Sequence, residues 1–198
     1  MFIPALLLAL APTAPVAPAP APASLAEDVA EVSNSACLKH AAGDLVFPHP
    51  ATPEFETAVA ALRLKTGIDR RTFDMFGPAT DFIARAAMAH RTDGVSSVVL
   101  AADGAMPGCR VILLGEPSAD TADAVAAALV RSGSGGWRAF PEMTASRGPV
   151  TKRVFLRRDA KGKVYLLNLV VLTQPIGKIQ LYTTTVAVPP GVTLPEGF

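Results

Sequence analysis

Between Val150 and Val188 the chain carries three β-rich runs separated by two short turn segments, and this stretch limits the fold more than any other. Val150–Arg157, Lys163–Thr173 and Lys178–Val188 are dense in the β-branched and aromatic residues that suit a pleated surface. Their connectors, Asp159-Ala160-Lys161-Gly162 and Gln174-Pro175-Ile176-Gly177, have the turn chemistry of hairpins. The sequence therefore predicts an antiparallel meander. Its middle run, VYLLNLVVL, is apolar on both faces, which predicts a central strand covered on both sides.

Upstream the period is helical. Ser24 and Glu27 have the spacing of a capping box, and Leu25, Val29, Val32 and Ala36 follow at helical intervals up to Gly43. Thr52 with Pro53 opens a second helix with Phe55, Val59 and Leu62 on its apolar stripe, ended by Gly67. Ile68 to Gly77 reads as a short helical turn, and Thr80 opens a third helical segment to about Ala89. Ser97–Ala101 and Cys109–Leu114 read as a hairpin around Asp103–Gly108. Asp120 caps a helix with Ala124, Val125, Ala128 and Leu129 on its face, stopped at Gly133, and Trp137–Phe140 reads as a short strand. Helices, hairpin, helix and meander in that order predict an α+β domain, its helices packed on one antiparallel sheet of about five to six strands. In element order alone this resembles the cone-shaped NTF2-like folds, which implies a sheet curled around a pocket that the helices cover.

The first 23 residues carry no charge. Phe2–Leu10 is a short apolar run, and an Ala/Pro string follows to Ala21-Pro22-Ala23, the pattern of an export signal with a small-residue cleavage site. The run is far shorter than the roughly 20 residues that span a bilayer, and Pro12, Pro15, Pro18, Pro20 and Pro22 interrupt any longer helix. Of the three late Ala-x-Ala triplets only Ala21–Ala23 is not followed by proline, which places the cut before Ser24. The segment lacks the Lys or Arg that usually opens such signals. The expectation is a signal peptide over residues 1–23, a single globular domain over 24–198, no transmembrane anchor, and a periplasmic or secreted location.

Export changes the meaning of the cysteines. Cys37 and Cys109 are the only two, and in an oxidising compartment a lone pair reads as a disulfide. It would close a long loop, worth about 4 kcal/mol by the chain-entropy account. Net charge is +1, which argues neither for nor against a polyanionic partner, but the charge is unevenly placed. Ser24–Asp93 holds 10 acidic and 7 basic residues, and Gly94–Phe198 holds 7 and 11.

No catalytic set assembles from spacing. Ser132-Gly133-Ser134-Gly135-Gly136 is similar to the Gly-Asp-Ser-Gly-Gly of chymotrypsin-like proteases, but Gly133 stands where the Asp belongs and no matching His or Asp motif precedes it. The loop also lacks the Lys-Ser/Thr of a phosphate-binding loop. Cys37 and His40 share a helix face and could pair with His49 or His90 as a thiol–imidazole or metal site. A disulfide at Cys37 removes that option, and neither a metal nor a cofactor is expected. Asp81 and Arg85 have the spacing of a surface ion pair. Trp137, Tyr165 and Tyr182 are candidates for a pocket wall or for core.

The densest signal is the hairpin Lys152–Lys163, where Lys152, Arg153, Arg157, Arg158, Lys161 and Lys163 accompany a single acid, Asp159. Alternation puts Lys152 and Arg158 on one face and Arg153, Phe155 and Arg157 on the other. These cations are the candidate binding residues for an anionic envelope component or protein partner. They equally suit the charged strands that deter edge-to-edge pairing. Nucleic acid is not expected, because export separates the chain from it and stacking aromatics are sparse. The sequence therefore predicts an exported binding or interaction module. Its rivals are a small secreted hydrolase whose site assembles only in space, and a structural envelope component.

Overall fold

The computed structural model describes residues 24–47, 51–78, 87–92, 95–103, 108–116, 120–131 and 136–198. The expected signal segment, His49, the opening of the third helical segment with Asp81 and Arg85, and Ser132–Gly135 lie outside the described residues. Eight strands form one antiparallel sheet: β1 (Lys65–Thr66), β2 (Ala87–Thr92), β3 (Ser97–Asp103), β4 (Gly108–Leu114), β5 (Arg138–Arg147), β6 (Val150–Arg158), β7 (Val164–Ile176) and β8 (Ile179–Ala187). Their order is β1-β2-β3-β4-β8-β7-β6-β5. Two meanders thus run toward each other and join at β4–β8, which places the last strand of each at the centre of the sheet.

The α+β architecture follows the sequence, but the sheet has eight strands rather than five to six. The two extra strands are β1 and β2. Ala87–Ala89, expected as the end of a helix, belongs to β2, where Ala89 pairs with Leu100 and His90 with Val99. Its alanines favour a helix in isolation, and the ladder to β3 overrides that weak preference.

The first helix opens as expected. Ser24 N–H donates to Glu27 Oε2 at 3.0 Å and Glu27 N–H to Ser24 Oγ at 3.3 Å, both halves of the capping box. α1 (Leu25–Val32) passes into a π-helical turn (Ser33–Cys37) and then α2 (Leu38–Ala42), closed by Gly43 in the left-handed region. The wide turn shifts the buried stripe from the phase of Val29, Val32 and Ala36 to that of Cys37, Leu38, Ala41 and Ala42, and leaves Lys39 in solvent. Within the turn Ser33 Oγ meets Thr183 Oγ1 of β8 at 2.8 Å, and Cys37 bonds to Cys109 of β4, with Cα atoms 5.0 Å apart. The predicted disulfide is present, and it ties the helix to the middle of the sheet.

α3 (Pro53–Ala60), capped by Thr52, buries Phe55 and Val59. α5 (Thr121–Arg131) buries Ala122, Val125, Ala128 and Leu129, so Ala122 takes the place expected for Ala124. These helices cover one sheet face, where Val98, Leu100, Val111, Leu113, Leu167, Leu169 and Leu181 form the main core with Trp137. The opposite face is covered in two patches. α4 (Arg70–Met75), capped by Asp69, brings Phe76 onto Val99, Ile112, Leu114 and Ile179. The C-terminal tail brings Leu194 and Phe198 onto Phe140, Leu156 and Val164. Gly177 lets the Phe76 segment approach, since a Cβ there would lie 2.5 Å from the Phe76 carbonyl oxygen.

An ion cluster joins the first helix to the β2 side. Asp28 is almost fully buried and meets Arg91 and Arg63, and Arg63 also reaches Glu31 at 2.6 Å. Among the described residues no helix is long and apolar enough to cross a membrane.

Candidate ligand groove

Strand β5 forms the outer edge of the sheet, and it does not stay in register. Phe140 pairs with Val154 and the next pair is Ala145 with Lys152, so Pro141, Glu142, Met143 and Thr144 stand opposite the single residue Arg153. The extra residues arch away from β6. Pro141 suits the arch, because it has no N–H to leave unpaired. Bulges of this kind bend a strand and re-aim its side chains.

The arch faces the outer side of α5, where the residues are small. Ala126 and Ala127 leave the space that larger side chains would fill, and Val130 is 49% exposed. Between them runs an open groove of about 580 Å³, within the range of small-molecule sites. Ala139 and Phe155 complete its apolar wall, Phe140 and Val154 border it while the Phe140 ring packs under the C-terminal tail, and Thr144 adds a hydroxyl. The two charged residues at the lining are Arg131 and Arg153. Arg153 Nη1 donates to Asp123 Oδ1 of α5 at 2.6 Å and bridges helix and sheet. Arg131 lies in the last turn of α5, where the helix dipole favours positive charge, and it makes no ion pair among the described residues.

The six basic hairpin residues do not converge. Register confirms the alternation: Arg153 and Arg157 stand opposite Leu169 and Tyr165 on the helix-covered face, while Lys152 and Arg158 stand opposite Val170 and Val164 on the other. Several have partners inside the fold. Lys163 Nζ donates to the carbonyls of Ala41 and Ala42 at 3.3 and 3.4 Å, capping the end of α2. Arg158 lies over the Phe198 ring at 5.1 Å and donates to Gly162 O. Lys161 and Lys163 give their backbone N–H groups to Asp159, closing the turn. Only Arg153 reaches the groove.

The aromatic candidates separate as well. Trp137 is buried in the main core and donates to Asn34 Oδ1 in the π-helical turn. Tyr165 is buried and donates to Asp159 Oδ2 at 3.0 Å. Burial first, then that hydrogen bond and the charge of Asp159, raise its pKa to about 12. Tyr182 packs beside the Phe76 patch. None of the three lines the groove.

The thiol–imidazole reading is closed by the disulfide. His40 Nδ1 donates to the Leu45 carbonyl at 2.9 Å, and His90 is held by Gly67 O at 2.9 Å and Asp69 at 3.2 Å. Spacing could not have found Ala126, Ala127, Val130, Arg131 and the arch. The available signals were Pro141 at the end of a strand-like run and alanines on the solvent side of a helix. No family model matches the chain, and no curated protein sequence or solved structure is significantly similar to it.

Proposed function

We propose that this protein is an exported binding module of the periplasm or cell surface, and that its groove holds an amphiphilic anion. The groove itself carries this reading: an apolar trough of about 580 Å³ with two arginines and no carboxylate among its described lining residues. The apolar body of the ligand rests against Ala126, Val130 and Phe155, and its acid group meets Arg131, with Arg153 beside it. The charge is complementary, since an acid at Arg131 supplies a counter-ion to a cation that has no ion pair among the described residues. This narrows the anionic partner expected from the hairpin to one cation of that set, Arg153, and adds Arg131. The helix-covered, curled sheet implied by the NTF2-like element order would be consistent with such a module. A hydrolase is less well supported, because among the described lining residues Thr144 is the one hydroxyl and there is neither His nor carboxylate.

The test uses 1-anilinonaphthalene-8-sulfonate, an apolar body with one fixed negative charge, and Nile red as its uncharged counterpart. Arg131→Glu should weaken sulfonate binding about tenfold or more with Nile red little affected. Equal binding of the sulfonate to Arg131→Glu would contradict the assignment. The export half is tested separately by the intact mass of the protein from the envelope fraction, which should correspond to a chain beginning at Ser24 with one disulfide.

A further inference from the structure

A second cavity, distinct from the groove, lies where α2 meets the end of β8. On the helix-covered face of β8, Thr183 and Thr185 point the same way toward the first helix. Ser33 satisfies the Thr183 hydroxyl. Thr185 has no such partner: it is fully buried, and its Oγ1 makes no hydrogen bond among the described residues. Buried hydroxyls are nearly always paired, because an orphaned one has lost water without replacement. Thr185 stands directly opposite Cys109, so the disulfide holds this part of the strand in place under the helix.

Beside Thr185 the helix and sheet leave a cavity of about 450 Å³, lined by His40 and Ala41 of α2 and by Val186, Ala187 and Pro189 at the end of β8. His40 is oriented from outside the cavity. Its Nδ1 donates to the Leu45 carbonyl, and its ring meets Phe47 edge-on with centroids 4.6 Å apart. That commitment leaves Nε2 as the nitrogen for any further partner. The described lining contains no carboxylate, and Lys163 Nζ lies on the Ala41 and Ala42 carbonyls.

We infer that this cavity is a second binding site, for a small aliphatic carboxylate. One carboxyl oxygen accepts from Thr185 Oγ–H, and a proton is shared between the other and His40 Nε2. The short chain lies against Ala41, Val186 and Pro189. A carboxyl group fits because it offers two adjacent oxygens to the hydroxyl and the imidazole that line the same cavity, and the remaining described lining is apolar or backbone.

The test is a ¹H–¹⁵N NMR titration of the oxidised protein with acetate, butyrate and hexanoate, with butylamine as control. Butyrate or hexanoate should shift the amides of Ala41, Val186 and Ala187 saturably, and butylamine should not. Thr185→Val keeps the shape and removes the hydroxyl. It should weaken carboxylate binding about tenfold or more while the unliganded variant melts no lower than the parent. His40→Phe should weaken binding independently. Three results would overturn the inference: no saturable shift with any carboxylate, equal binding to Thr185→Val, or a markedly lower melting temperature for that variant. The last would mean that the hydroxyl serves the fold.

Discussion

The seam where β4 meets β8 and the arch of β5 belong to one sheet but follow opposite plans. At the seam Val111, Leu113, Leu167 and Leu169 are wholly buried, Thr183 is bonded to Ser33, and Cys109 is tied to Cys37. At the arch the strand leaves register, α5 presents alanines, and Val130 and Met143 stay 49% and 37% exposed. Both regions lie between a helix and the same face of the sheet. The difference is packing density, and it separates what holds the molecule together from what is open to a ligand.

The largest break in that contrast comes from the seam's covalent tie. Replacing Cys37 and Cys109 together by Ala opens a link between residues 72 apart and should cost about 4 kcal/mol. Urea unfolding measures it; a loss under about 1 kcal/mol would show that packing alone secures the seam. Next comes Leu181→Ala, which empties a fully buried site in the main core on the helix-covered face. It should cost about 2–5 kcal/mol in the same assay.

A pH scan sharpens the comparison without any substitution. Tyr165 lies on β7 with its pKa raised to about 12, above its unfolded value of about 10. A group raised on folding contributes stability below its unfolded value and loses it as pH climbs through its folded one, so this contribution fades between about pH 10 and 12. Burial pushes its partner Asp159 upward, but hydrogen bonds from Lys163 N–H, Tyr165 Oη and Lys161 N–H outweigh that and hold its pKa below the usual carboxylate value. Its contribution is present above about pH 4 and is lost in acid. Tyr165→Phe should remove the alkaline loss in a plot of melting temperature against pH. The smallest stability effect belongs to the groove: Val130→Ala should change stability by under about 0.5 kcal/mol yet weaken sulfonate-probe binding.

Local signals were legible wherever one residue decides a geometry. The Ser24–Glu27 box, the Thr52–Pro53 helix start and the Asp159–Gly162 turn form as their residues predict, whereas Gln174, Pro175 and Ile176 extend β7 and leave the second turn to Gly177 and Lys178. The disulfide was legible only through the expected compartment, since spacing alone does not pair cysteines. What stayed hidden depends on partners distant in sequence. Ala87–Thr92 is a strand because β3 lies beside it. Alternation already divides the hairpin's cations between two faces, while only the fold reveals that Lys163 caps α2 and Arg158 lies on Phe198. The groove was least visible of all, because it is made by an absence of bulk on α5 and by a register gap two strands from the seam.

The most direct measurement is sulfonate-probe affinity in Ala127→Leu, with melting temperature taken on the same sample. Ala127 is exposed on the groove side of α5, so Leu fills the trough without entering the core. Probe affinity should fall about tenfold or more at an unchanged melting temperature. Undiminished affinity at that same melting temperature would contradict the assignment of the groove.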